Sequence, residues 1–200
     1  LPRPKALQSQ RTTLYGLRRA LGEAVQIEDD QIQLHPGVDV DARRFQSQLV
    51  SLPLDTQELV NLVDLYRGDF LEGFSVPDSQ AYEDWLMIER EHYRRLAIRA
   101  LSALSKRHEE SSDFHAAITA LDRALGFDAL QEDLHRERIR MLYRSGDRPG
   151  AIRHYDHLRR MLDEEMGVPP MKETRDLYDA LVNDRLDVNL HPASAAIRRP

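Results

Sequence analysis

The sequence predicts a mainly α-helical fold that opens with one helix and one β-hairpin. Three observations carry that reading. Apolar residues recur at steps of three and four along most of the chain, the spacing that puts them on one face of a helix. One short stretch, residues 25–34, instead alternates apolar with polar residues about an acidic centre, the two-residue period of paired strands. Residues 111–118 also match residues 145–152 at four of eight positions, a self-similarity expected of stacked helix pairs.

Taken in order, Leu7, Gln10, Leu14, Leu17 and Leu21 form the buried stripe of a first helix. Gly22 stands where that helix must stop. Val25-Gln26-Ile27 and Ile32-Gln33-Leu34 flank Glu28-Asp29-Asp30-Gln31 as the arms of the hairpin. From Asp41 the helical period returns. Asp41 can cap a helix with Phe45, Leu49 and Val50 inward, ended by Pro53. Asp55 or Thr56 can cap the next, with Leu59, Leu62, Val63 and Tyr66 inward. The closely spaced glycines of 67–74 predict a turn with buried aromatics. A long helix follows over about 78–111, with Tyr82, Trp85, Leu86, Glu89, Tyr93, Leu96, Ala100 and Leu104 in its stripe.

The self-similarity has an offset of 34 residues, that of tetratricopeptide (TPR) helix pairs. A small residue there lets two antiparallel helices approach: Ala116 and Gly150 hold equivalent places. The match is poor in the first helix of each pair, where Leu101 meets His135 and Leu104 meets Arg138. Gly167-Val168-Pro169-Pro170 breaks the chain, a closing helix spans 172–183 with Leu177, Tyr178 and Leu181 inward, and 185–200 reads as a linker or tail.

Composition narrows the function. A hydrophobic fraction of 41% and a charged fraction of 31% over 200 residues describe a folded protein with a sizeable core. The absence of cysteine excludes disulfides, thiolate metal sites and a cysteine nucleophile. The longest wholly apolar run, Trp85-Leu86-Met87-Ile88, is far short of the roughly 20 residues of a membrane span. No signal-peptide pattern opens the chain, so a cytoplasmic protein with no membrane partner is expected. Because it starts at Leu1, the chain is read as a piece of something longer. No phosphate loop, metalloprotease helix or nucleophile elbow occurs, and neither an enzyme nor a cofactor is expected. The net charge of −6 argues against uniform coating of nucleic acid. Yet Arg3, Lys5, Arg11, Arg18 and Arg19 lie in the first 22 residues with no acid among them, so −6 divides into +5 there and −11 beyond.

Several of these segments resemble a known family. Leu14-Tyr15-Gly16-Leu17-Arg18-Arg19-Ala20-Leu21-Gly22, the hairpin, and Val38-Asp39-Val40-Asp41 with Phe45 resemble the end of an OmpR-like winged helix. Gly68-Asp69-Phe70-Leu71-Glu72-Gly73-Phe74, Trp85 with Glu89-Arg90, Arg123-Ala124-Leu125 and His135-Arg136 look like the bacterial transcriptional activator domain of antibiotic-regulatory (SARP-type) proteins. So do Tyr143 with Gly146-Asp147-Arg148, Met166-Gly167-Val168-Pro169, Glu173-Thr174 and Leu177-Tyr178. The resemblance implies a partial winged helix over 1–41, with recognition helix and wing, and a TPR-like activator domain over 42–184. It further implies double-stranded promoter DNA as partner, with RNA polymerase contact or homodimerisation through the helical domain. The alternative is a TPR-like interaction module of a larger regulator with no DNA binding of its own.

Candidate DNA-binding residues are Arg11, Thr12, Tyr15, Arg18 and Arg19 on the first helix. Arginine bonds bidentately to guanine edges or pairs with phosphate, and Thr12 and Tyr15 can bond phosphate oxygens. Glu28, Asp29 and Asp30 at the wing tip would repel phosphate. Elsewhere the bland readings hold. The Trp85 to Arg90 stretch is core, Arg67-Gly68-Asp69 is a turn rather than an adhesion tripeptide, and Asp163-Glu164-Glu165 is a solvated face. His154 and His157, three apart, could share a metal but lack a third ligand, so surface histidines are expected.

Overall fold

The computed structural model describes residues 3–28, 31–50 and 54–186. Its elements run α1 (Arg3–Leu21), a 3-10 turn (Gly22–Ala24), β1 (Val25–Glu28), β2 (Gln31–Leu34), α2 (Asp41–Val50) and α3 (Thr56–Val63), followed by α4 (Gln80–Glu110), α5 (Phe114–Leu125), α6 (Glu132–Arg144), α7 (Arg148–Met166) and α8 (Lys172–Val182). The chain divides into two compact units, Leu1–Arg44 and Phe45–Pro200, the division falling within α2.

In the first unit α1 stops at Gly22, whose φ of +53° suits a residue without Cβ. β1 and β2 pair antiparallel, Val25 opposite Leu34 and Ile27 opposite Ile32. Val25 is buried and Ile27 half-buried, whereas β2 is exposed throughout. Asp29 and Asp30 of the expected wing tip, the side chain of Glu28, Pro53 and the tail beyond 186 lie outside the described residues.

Asp41 is the first helical residue of α2 rather than its cap. The Arg44 N–H bonds the Val40 carbonyl at 3.0 Å, so the helix begins one residue early, and among the described residues the Asp41 side chain accepts only from Ala42 N–H, at 2.7 Å. Phe45 and Leu49, four apart, are buried; Val50 is 83% exposed. Five residues on from Phe45 lands well off the face that i and i+4 share, which is why Val50 points outward.

α3 opens on a capping box, Asp55 accepting from Glu58 N–H at 2.8 Å while Glu58 accepts from Asp55 N–H at 2.8 Å. Leu59, Leu62, Val63 and Tyr66 are buried as expected. In the turn that follows, Phe70 stacks on Tyr93 with centroids 4.8 Å apart. Phe74 and Trp85 depart from the expected core, being 54% and 43% exposed. Leu86 holds the inward position beside Trp85, and the indole rests edge-on against Phe70 and tilted against Tyr82, at 6.0 and 5.4 Å.

The repeat is a physical one. α4 packs on α5 and α6 on α7, with α5 on α6 joining the pairs and α8 closing against α6 and α7. The matched turn residues do the same work in each pair. Ser112 and Gly146 take left-handed φ of 62° and 88°. Asp113 and Asp147 then cap α5 and α7, accepting from Ala116 N–H at 3.1 Å and Gly150 N–H at 2.8 Å. Ala117 and Ala151, one residue on, are fully buried where the helices of each pair meet. Tyr155 and Tyr178 stack at 4.0 Å over the core formed with Ile139, Leu142, Leu177 and Leu181.

Two outcomes test this packing. Leu49→Ala is expected to cost about 2 to 5 kcal/mol, and its neighbour Val50→Ala under about 0.5 kcal/mol, in chemical denaturation. Ser112→Gly is expected to stabilise by about 1 kcal/mol, because serine bears a left-handed strain there that Gly146 escapes.

Candidate nucleic-acid interface and buried polar clusters

On α1, the side chains of Arg11, Thr12, Tyr15, Arg18 and Arg19 are all exposed, Tyr15 at 70%. Arg11, Tyr15 and Arg18 stand at steps of four and three and so share one face, with Arg19 beside them and Thr12 on its edge. Leu14 and Leu17 on the other side are half-buried. Among the described residues no hydrogen bond or ion pair engages the side chain of Arg11, Arg18 or Arg19. Thr12 gives its hydroxyl proton to the Gln8 carbonyl at 3.0 Å, leaving its oxygen as an acceptor. This face therefore offers three free guanidinium groups and a phenol, and the threonine must release a helix carbonyl before it can donate to phosphate.

The second unit holds charged groups of a different kind, bound inward. Glu132, buried at the start of α6, accepts from Met171 N–H at 2.9 Å and from Thr174 Oγ1 at 2.6 Å, while Arg136 Nη1 donates to Thr174 Oγ1 at 2.9 Å. One carboxylate thus serves the N-termini of both α6 and α8, where helix dipoles favour negative charge. Arg123 donates to the carbonyls of Val63 and Tyr66 at 2.6 and 2.9 Å, at and just past the end of α3. Arg148 donates to Leu181 and Val182 at 3.1 and 2.7 Å, the end of α8. Arg90 does the same for Phe70 and Leu71 at 3.0 and 2.9 Å. Asp69, the acid of the adhesion-like tripeptide, is clamped by Arg94 at 2.9 and 3.1 Å and meets the Tyr66 hydroxyl at 3.3 Å. Burial and this carboxylate push Tyr66 up to about 12.

His154 is not the surface residue expected. Its ring lies against His135, with His135 Nδ1 and His154 Nε2 2.8 Å apart. The Ala129 carbonyl, 2.9 Å from His135 Nε2, can only accept, so His135 carries its proton on Nε2. Its Nδ1 then accepts from His154 Nε2–H, and His154 Nδ1 accepts from Arg138 Nη1 at 3.1 Å. Arg138 pairs with Asp122 on α5. The result is a directed chain through α5, α6 and α7 that needs both imidazoles neutral. His157 remains exposed, and among the described residues no group of three or more His, Cys, Asp or Glu can hold a metal. The signal for this cluster lay in the 34-residue offset: His135 and Arg138 occupy the places of the buried Leu101 and Leu104.

No described helix is long and apolar enough to cross a membrane. Among known families, residues 54–182 match the model described as Bacterial transcriptional activator domain. No curated protein matches the chain.

The histidine chain sets a pH dependence. Burial first, then Arg138, His135 and His157, push His154 down to about 3, and burial lowers His135 while Glu132 and the Ala129 carbonyl oppose it. The unfolded chain takes up the His154 proton near 6.5 and the folded chain near 3, so the stabilisation is complete above about 6.5 and lost as pH falls, with His135 shifted in the same direction. Stability is expected to drop by about 1.4 kcal/mol per pH unit between 6 and 5 for one histidine. A urea-denaturation series should show that slope, and His154→Gln should flatten it by about one proton.

Proposed function

Because the chain belongs to the bacterial transcriptional activator domain family, whose members are transcription regulators, we propose that it is a DNA-binding transcriptional activator of the cytoplasm that uses no cofactor. In this reading residues 1–41 are the recognition helix and wing of a winged helix, and α1 reads promoter DNA. The helical domain over 42–184 makes the activating contact, with RNA polymerase or a second copy. The observation that carries the DNA half is the acid-free face of α1, where Arg11, Arg18 and Arg19 are exposed and engaged by no described residue. A recognition helix works in this way: exposed arginines pair with phosphate for register and with guanine edges for sequence. The acidic balance of the remaining chain argues against DNA contact spread along it.

The test is a titration of the full-length protein against promoter DNA across salt concentrations, because each phosphate contact contributes about 0.9 to the log–log slope. Arg11→Glu, Arg18→Glu and Arg19→Glu together are expected to reduce the slope by about 3 and to weaken binding by at least tenfold. Unchanged affinity and slope would overturn the DNA assignment and leave the interaction-module reading.

A further inference from the structure

The solvent side of α4 carries a stripe of a distinct kind. Trp85, Ile88, Arg95, Arg99 and Lys106 all fall on one face at steps of three and four or their sums. Its N-terminal end is apolar, with Trp85 43% and Ile88 63% exposed, and Phe74 of the preceding turn, 54% exposed, is joined to Trp85 through Tyr82. Its C-terminal end is basic. Three other arginines of α4 are spoken for: Arg90 by two carbonyls, Arg94 by Asp69 and Arg107 by Glu110. Arg95, Arg99 and Lys106 are exposed, and no described residue bonds or pairs with them. Of the acids bordering the stripe, Asp84 is engaged by the Gln80 amide at 2.8 Å, Glu91 by Arg94 at 3.8 Å and Glu110 by Arg107 at 3.1 Å, while Glu89 is half-buried beside the apolar end.

We propose that this face of α4 docks an acidic amphipathic helix of a partner protein, with apolar residues against Trp85, Ile88 and Phe74 and carboxylates against Arg95, Arg99 and Lys106. Charge complementarity selects an acidic partner. The exposed indole and aliphatic groups select a protein over a phosphate backbone, which gains nothing from apolar surface. The rings are already fixed, since Phe74 meets Tyr82 at 5.9 Å and Tyr82 meets Trp85 at 5.4 Å, so little side-chain freedom is lost on binding. Tryptophan and arginine are also the residues on which interface energy concentrates. From Trp85 to Lys106 the stripe is about 32 Å long at 1.5 Å per residue, the length of a helix of about 20 residues. The inference refines the partner-contact half of the proposed function and rests on nothing in the DNA half, whose salt titration stands or falls separately.

Trp85 is the one tryptophan of the chain, so its emission reports on this face alone. The probe is a synthetic helix of about 20 residues with leucines at one end and glutamates at steps of three and four along the rest. Saturable blue-shifted emission is expected, weakened at least tenfold by Arg95→Glu with Arg99→Glu. A lysine-for-glutamate version of the probe should bind that variant and not the parent. Circular dichroism checks that the exposed substitutions leave the helices intact. Absence of a saturable shift, or an equal response to both probes, would overturn the proposal. So would a shift that grows with protein concentration alone, which would assign the face to a second copy. A shift produced by duplex DNA and lost in the variant, with none from the probe, would assign it to nucleic acid.

Discussion

A helix leaves its first four N–H groups and last four carbonyls without partners, and where helices abut, water cannot reach all of them. The helical unit meets this constraint with long charged side chains sent from one element to the end of another. Arg123 closes α3, Arg148 closes α8, and Glu132 opens α8 while sitting in the first turn of α6. Each tie links segments more than thirty residues apart in the chain. The two arginine ties also fix orientation, because a guanidinium that meets two carbonyls at once tolerates little rotation. The apolar stripes supply the attraction and the ties choose its geometry.

The histidine chain shows the same division in a more exacting form. A leucine at position 135 would pack, as Leu101 packs in the preceding pair, without dictating what lies opposite. His135 and His154 instead demand one tautomer each, a carbonyl at one end and an arginine at the other. Such a chain is worthwhile only when every member is satisfied, since one unpaired buried polar group costs about 1 to 3 kcal/mol.

How far all this was legible in the sequence depended on the range of the interaction. The hairpin, the Asp55 cap and the repeated turns are local, and the residues state them directly; the Asp113 and Asp147 caps lie inside the matched segments and emerged with the structure. Val50, Phe74 and Trp85 were misplaced because an apolar residue at the margin of a stripe is inward or outward according to its neighbours in space. His154 was misplaced because its partner lies nineteen residues away on another helix. Among the segments that carried the family resemblance, Arg90, Arg123, His135-Arg136, Arg148 and Thr174 turn out to be the long-range ties themselves. For the candidate interface, helical spacing alone predicted a shared face on α1; which groups on it were left unengaged required coordinates.

The mismatch between the two helix pairs has a consequence for how the chain reaches its fold. Proteins built from similar repeats are prone to assemble the wrong neighbours, because a helix from one repeat can take the place of its counterpart in the next. Were α5 to settle in the seat of α7, the tyrosine-sized space at Tyr155 would receive Leu121, and His135 would face an apolar surface with no nitrogen to meet. The polar chain therefore discriminates between two arrangements that the apolar spacing alone leaves equivalent, since among α5 and α7 only α7 offers His135 a nitrogen at that place.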